Sequence, residues 1–328
     1  MQRAYLQLMP VVTSSYNPPF YFKNGHVSTV VPSIWRQVEN VNYERERIET
    51  PDDDFLDLDW CHTGSKNLVV ITHGLEGSSK RPYVLGMAKY FHSKNWNVLA
   101  WNCRSCSGEI NRKGRFYHHG ETRDLHHVVK HAIERNTYEN IVFIGFSMGG
   151  SITIKFLSEV PYELQSRIKC GVTASVPVDL TESVAEFRKI SMAFYRNKFL
   201  QRLEKKIKLK AQLYPDQIDY KDFSKIKYFP DFDNAYTAPL HGFKDAYDFY
   251  EKASAKNYLE RVQVPLLLVN ALNDPFLTEN CYPYRIAESS DFVHLETPKY
   301  GGHVGFIQHG MRHTYLESRA YDFVSHLL

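Results

Sequence analysis

A mostly parallel, eight-stranded α/β sheet with helices on both faces and an inserted helical cap is the fold class that this sequence predicts. Three observations predict it. Short apolar runs recur along the chain, separated by longer segments of helical spacing, which is the alternation of strands joined by helical crossovers. One pair of runs instead alternates apolar with polar residues about a tight polar turn, as an antiparallel hairpin at a sheet edge does. One long interval, 179–243, contains no strand-like run.

In chain order, the hairpin is NYERERIET (42–50) and FLDLDWC (55–61), turning at Pro51 and Asp52 to Asp54. LVVITHG (68–74), NVLAWNC (97–103), NIVFIGF (140–146), CGVTASVPV (170–178), PLLLVNAL (265–272) and DFVHLET (291–297) follow. Their near-continuous apolar character is that of parallel strands covered on both faces. Helices are expected at 82–94, 122–136, 148–158, 279–288 and 313–327. Residues 1–178 and 244–328 would then form the core. Residues 179–243 would form a cap over the carboxyl edge of the sheet, where open α/β sheets bind ligands.

Bulk properties narrow the function. A length of 328 residues suits one α/β domain with an insertion, and 43% hydrophobic residues suffice for a sizeable core. The net charge of +3, from 40 Lys+Arg against 37 Asp+Glu, leaves no electrostatic footprint for nucleic acid, and none is expected to bind. Cys61, Cys103, Cys106, Cys170 and Cys281 are an odd, irregular set, which points to a reducing compartment, with Cys103 and Cys106 read as semi-buried thiols at a strand end. Cys103 and Cys106 form a CxxC with no second pair to complete a zinc site. The N-terminal MQRAYLQLMPVV is too short and interrupted for a signal peptide, and no run reaches the roughly 18 apolar residues of a membrane helix. A soluble, cytoplasmic protein is expected.

The chemistry concentrates at GFSMGG (145–150), directly behind the apolar run 140–146. In a sharp strand-to-helix turn the central serine adopts a strained backbone, and side chains two residues away would collide with the turn. Gly145 and Gly149 remove them, so the pattern reads as a nucleophile elbow presenting the Ser147 hydroxyl; Gly150 lets the helix pack close to the neighbouring strand. A serine nucleophile needs a base, itself oriented by an acid, and in this arrangement the acid and then the histidine follow it along the chain. Asp274 ends one strand candidate, and His303 lies among Gly301, Gly302 and Gly305 after the last. Asp179 is a rival for the acid, and His294, His309 and His313 are rivals for the base. Two backbone donors must meet the oxyanion. Met148 N–H, just after the nucleophile, and Leu75 N–H, in THGLEGSSK, are the candidates.

HGLEGSS (73–79), CRSCSGE (103–109), YHHGETRDL (117–125), GFSMGG, SVPVDL (175–180), FDNAYTAPLHGF (232–243), NDPF (273–276) and GGHVGF (301–306) together resemble the YheT-like family of α/β hydrolases. The resemblance runs from NGHVST (24–29) to the final helix. It implies the α/β-hydrolase fold and a similarity to carboxylesterases and lipid hydrolases, with a Ser-Asp-His triad that falls on Ser147, Asp274 and His303. Where that family often has FRGCSGE and YHSGET, this chain has Cys103, Ser105 and His119 at the differing positions, which bears on specificity more than on mechanism.

Two further features are weighed. RKISMAFYRNKFLQRLEKKIKLK (188–210) holds nine basic residues and one acid, with Met192, Tyr195, Phe199, Leu203 and Ile207 at helical spacing. One reading is peripheral contact with anionic lipid; the other, preferred, is a cap helix with one face on the core. His118, His119, His126, His127 and His131 invite a metal reading. His127 and His131 share a helix face, but the glutamate of H-E-x-x-H is missing, and no metal or organic cofactor is expected. Asp124 reads as a buried hydrogen-bond partner or cap. The function expected is a serine hydrolase cleaving carboxylic esters, with an apolar or medium-chain acyl ester or lipid as substrate. Acyl transfer to an alcohol and a catalytically silent binding protein of the same fold are the alternatives. The sequence leaves the oligomeric state open.

Overall fold

The computed structural model describes residues 9–310 and 312–328; the first eight residues of the N-terminal segment in which no signal peptide is expected lie outside them. The strands are β1 (Val11–Val12), β2 (Glu44–Glu49), β3 (Phe55–Cys61), β4 (Asn67–Thr72), β5 (Asn97–Asn102), β6 (Asn140–Phe146), β7 (Ile168–Ala174), β8 (Leu266–Val269) and β9 (Val293–Glu296). They make one sheet in the order β1-β9-β8-β7-β6-β4-β5-β3-β2. All eight expected strands are present, and the strand number is corrected to nine. The addition is β1, which pairs in parallel with β9. Two residues beside a proline are too short for any periodic signal. The hairpin β2–β3 is antiparallel at the edge, and β3 also runs antiparallel to β5; every other pairing is parallel.

The helices before β7 are α1 (Gly25–Trp35), α2 (Pro82–Ser93), α3 (Arg123–Arg135), α4 (Met148–Ser158) and α5 (Tyr162–Gln165). Between β7 and β8 the chain is wholly helical or irregular: α6 (Leu180–Glu186), α7 (Ala193–Leu213), α8 (Phe229–Phe232), α9 (Ala238–His241), α10 (Ala246–Ala253) and α11 (Lys256–Leu259). A π-helical turn, Asp233–Thr237, joins α8 to α9. Finally come α12 (Tyr284–Ser289) and α13 (Tyr315–Leu327). The helix expected at 279–288 is split at Pro283, whose missing N–H cannot continue it: a short 3-10 turn, Glu279–Cys281, precedes α12.

Alternation along the parallel strands supplies both faces of the sheet with core. Val69, Ile71, Val98, Val142 and Ile144 pack with α2 and α13 through Val84, Phe91, Phe323 and Val324. Val70, Leu99, Ile141 and Phe143 pack on the other side with Val128, Val129, Ile152 and Phe156 of α3 and α4. These side chains are essentially fully buried, and each contributes about 1.5–3 kcal/mol. This two-sided burial makes the sheet a rigid platform for loops at its carboxyl edge.

In the 193–213 helix, Tyr195, Leu200, Leu203, Ile207 and Lys210 are buried. Two of the basic residues that suggested a lipid-facing helix therefore point into the protein. Lys206 Nζ pairs with Glu76 Oε1 at 2.7 Å, and Lys210 Nζ donates to the carbonyl oxygens of Lys113, Gly114 and Arg115. Burial pulls the Lys210 ammonium down to about 8. Among the described residues no helix is long and apolar enough to cross a membrane.

Candidate active site

Strand β6 delivers Ser147 to the start of α4 with φ 55 and ψ −122. This backbone conformation costs a non-glycine residue about 1–3 kcal/mol. Surrounding bonds hold it: Ser147 N–H donates to Ala174 O at 2.9 Å, and Ser147 O accepts from the N–H groups of Gly150 at 2.8 Å and Ser151 at 3.2 Å. The glycines have separable reasons. A Cβ on Gly145 would lie 2.5 Å from Gly149 O, inside the turn itself. One on Gly149 would lie 2.3 Å from Thr72 O and 2.5 Å from His73 O, so Gly149 sets how closely α4 approaches β4 rather than opening the turn. One on Gly150 would meet Val176 Cγ2 at 2.4 Å.

The loop after β4 passes beside this elbow, since a Cβ on Gly74 would come within 3.2 Å of Ser147 Cβ. Its donors are nearly all committed. Gly74 N–H donates to Tyr83 Oη at 3.1 Å, Glu76 N–H to Tyr117 Oη at 3.0 Å, and Gly77 N–H to Gly74 O at 2.9 Å. Among the described residues Leu75 N–H has no acceptor, and neither has Met148 N–H at the first position of α4. The helix dipole adds positive potential at Met148. His73 braces the loop from beneath: its Nε2 accepts Cys103 N–H at 3.1 Å, so Nδ1 carries the proton and donates to Gly74 O at 2.7 Å. Burial lowers its pKa to about 4, which keeps it neutral.

His303 and Asp274, on loops 29 residues apart, are brought together: Asp274 Oδ2 accepts from His303 Nδ1 at 2.9 Å. Asp274 Oδ1 accepts Phe276 N–H at 2.9 Å, and the Phe276 ring lies 4.2 Å from the imidazole. Nδ1 being engaged, Nε2 is the nitrogen left for a proton from elsewhere. Ser147 and His303 line the same two cavities. Among the described residues no hydrogen bond joins Ser147 Oγ to the imidazole; catalytic contacts of this kind commonly tighten only as the transition state forms.

The rivals go elsewhere. Asp179 is the N-cap of α6, accepting Glu182 N–H, and its Oδ2 pairs with Lys256 Nζ at 2.6 Å. His294 sits on β9 against Met9 O and the Phe323 ring, His309 is exposed, and His313 packs on Tyr90.

Helix α1 was not expected from the sequence, yet it supports the whole histidine loop. His303 N–H donates to Thr29 Oγ1 at 2.8 Å. A Cβ on Gly305 would lie 2.0 Å from Ser28 O, and one on Gly25 2.0 Å from Asn273 O. Asn24, capping α1 by accepting the N–H groups of His26 and Val27, was the local signal available; Pro32 within the helix obscured it. Val304 N–H donates to Ser175 Oγ at 2.9 Å, a further support.

The first cavity runs from Ser147 among apolar side chains, including Leu180, Phe187, Phe229, Phe232 and Phe249, with Asp233 as its lone carboxylate. His119 lines it, whereas Cys103 and Ser105, the other departures from the resembled family, do not. A second cavity meets the first at Leu75, Ser147, Phe199, Phe276 and His303 and lies between α1 and α7. All five cysteines are buried and free.

For a metal, His118, Glu121 and His241 are the one group among the described residues with donor atoms within 4.8 Å of one another. Glu121 is already held by Arg115 and Arg123, each at 2.7 Å from Oε2, so the trio has no uncompensated anionic ligand. His127 and His131 are spent on Glu49 O and Glu46 Oε1. Asp124 is a buried partner: both its oxygens accept from Arg104, which also bonds Asp52 and Asp54.

Comparison with known proteins supplies the family context. The family model Hydrolase_4, described as serine aminopeptidase S33, matches residues 63–280. The YheT protein of Escherichia coli K12 is 30% identical over 321 residues, 95% of this chain and 94% of that protein. Phospholipase ABHD3 of Mus musculus is 27% identical over 313 residues, 91% of this chain and 75% of its own length. Among solved structures, the Pyrococcus furiosus esterase Pf2001 superposes with a TM-score of 0.59 at 20% identity, covering 95% of this chain and 97% of that one.

Proposed function

This chain belongs to the Hydrolase_4 family, the esterase- and lipase-like α/β hydrolases, and from that premise we propose that it cleaves carboxylic esters of apolar, medium-chain acyl groups through Ser147, His303 and Asp274. The reading is carried by one observation: His303, its Nδ1 bound to Asp274 at 2.9 Å, shares its cavities with a serine of strained backbone. Ser147 Oγ attacks the ester carbonyl as His303 Nε2 takes its proton. The oxyanion meets Leu75 N–H and Met148 N–H, which need no reorganisation because neither has an acceptor to leave among the described residues. Asp274 orients the imidazole and offsets its charge. His303 then protonates the departing alcohol, and water, activated by the same nitrogen, releases the acid from Ser147. Residues 179–243 serve as the cap, whose aromatic side chains wall the acyl cavity.

The test is a chain-length series of nitrophenyl esters with wild type and Ser147→Ala. The alanine variant should lose at least about a thousandfold in kcat, since removing one triad member leaves only oxyanion-hole and binding effects. Equal rates would discard the mechanism, and a flat response to acyl length would discard the medium-chain assignment. An ester product in the presence of added alcohol would turn the assignment to acyl transfer.

A further inference from the structure

Four cations line the second cavity, Arg36, Arg81, Lys198 and Arg202, and no carboxylate does. Arg36 is neutralised by Glu317, at 2.7 Å. The other three have no ion pair among the described residues. Among the described residues the Arg81 guanidinium donates only to the Glu76 carbonyl oxygen, at 2.9 Å, and the Glu76 carboxylate is itself occupied by Lys206 and Tyr117. Lys198 and Arg202 stand at i and i+4 on α7, where like charges destabilise a helix unless something offsets them. Burial holds both below their usual pKa values, helped at Lys198 by the charges of Arg202 and Arg81 and at Arg202 by that of Arg81, against which the Glu76 carboxylate acts. The first cavity, which shares Ser147 and His303 with this one, has no lysine or arginine in its lining.

We propose that Arg81, Lys198 and Arg202 form a subsite for a phosphate group on the alcohol half of the ester, so that the substrate presents an apolar acyl chain to the first cavity and a phosphate-bearing alcohol to the second. Guanidinium forks match phosphate oxygens bidentately and the lysine adds a compact charge, a combination that a single carboxylate would leave under-compensated. The inference rests on Ser147 as the nucleophile for its orientation of substrate, but the subsite can be read without turnover.

Two measurements test it. The first compares kcat/KM for octanoyl glycerophosphate and monooctanoylglycerol, which differ only in the phosphate. The wild type should favour the phosphorylated ester by about tenfold or more at low salt, where screening is weakest. The Lys198→Gln/Arg202→Gln double variant should bring that ratio close to one, while Arg202→Lys should keep most of it. A wild-type ratio of one or below, or a double variant that keeps the preference, overturns the proposal. The second titrates glycerophosphate and octanoate into the Ser147→Ala protein. Glycerophosphate should bind about tenfold more weakly once Lys198 and Arg202 are neutralised. No glycerophosphate binding, or a charge dependence seen only with octanoate, overturns the subsite even if esters are hydrolysed. Charge-dependent glycerophosphate binding in a protein that hydrolyses neither ester would uphold the subsite and refute the nucleophile.

Discussion

On the sheet side of the cleft the loops are set by backbone against backbone, whereas on the helical side α7 is tied by charged side chains. Gly149 meets the carbonyls of Thr72 and His73, and Gly305 meets that of Ser28, each at distances that leave no room for a Cβ. Across the cleft, Lys206 reaches Glu76 and Lys210 reaches three carbonyls of residues 113–115. Backbone contacts of that kind have no alternative arrangement, so the sheet side behaves as a fixed frame. Side-chain ties on long flexible stems can break singly. The wall that would carry the chemistry is thus the rigid one, and the wall that would admit substrate is the one whose fastenings can be released.

The largest effect expected tests whether the frame carries the chemistry. Asp274→Asn should lower kcat by about ten-thousandfold, because an amide favours the wrong imidazole tautomer. Asp179→Asn, on the helical side and paired with Lys256, should change kcat by less than about tenfold. Equal losses in the two variants would erase the distinction between the sides.

Next in size is the frame's intolerance of one methyl group. Gly149→Ala places Cβ against two carbonyl oxygens that cannot rotate away, and should cost about 4 kcal/mol in denaturant unfolding. Gly242→Ala, between β7 and β8 at φ 76 with nothing within 4 Å of its Cβ, should cost about 1 kcal/mol, the penalty of the left-handed conformation alone. Similar midpoints for the two would show that the sheet side is softer than its contacts imply.

Lys206→Met probes the ties instead. It leaves the buried Glu76 carboxylate with Tyr117 as its remaining partner and should destabilise by about 3 kcal/mol. Faster amide hydrogen exchange in α7 than in β6 should accompany the loss. Uniform exchange changes in both elements would mean that Lys206 supports the whole fold rather than the attachment of α7.

The same contrast governs what was legible in the sequence. Gly145, Gly149 and the glycines around His303 are local marks of close backbone contact, so Ser147, Asp274 and His303 could be picked out as candidates from strand ends and spacing. The choice between Asp274 and Asp179 could not be closed there, because both follow apolar strands and only the fold brings one of them to His303. Lys206 and Lys210 read as part of a solvated or lipid-facing stripe, since their partners lie 130 and about 95 residues away and leave no periodic trace. The strand Val11–Val12 and the helix Gly25–Trp35 failed for local reasons, the one for its length and the other for Pro32.

The smallest effect concerns a charge that the helical side holds at a cost. Asp233, in the π-helical turn, is buried in the first cavity, accepting from Thr237 Oγ1 and from Tyr250 Oη at 2.5 Å each. Burial raises its carboxyl from 3.8 to about 6, the two hydrogen bonds opposing the shift. The unfolded carboxyl ionises first, so between about pH 4 and 6 the folded state holds the extra proton, and stability falls as pH rises through that window. Above it the whole penalty is present, and below about pH 4 it is absent. Asp233→Asn removes the charge while keeping the bond from Thr237, and the Tyr250 hydroxyl can turn to accept from the new amide. The variant should therefore be about 2 kcal/mol more stable than wild type at pH 7, with the gap closing as pH falls to 4. Unfolding midpoints across pH 4–7 decide it: a gap independent of pH would place the gain in packing, and a destabilised variant at pH 7 would mean that the carboxylate is better solvated by its two hydroxyls than its burial implies.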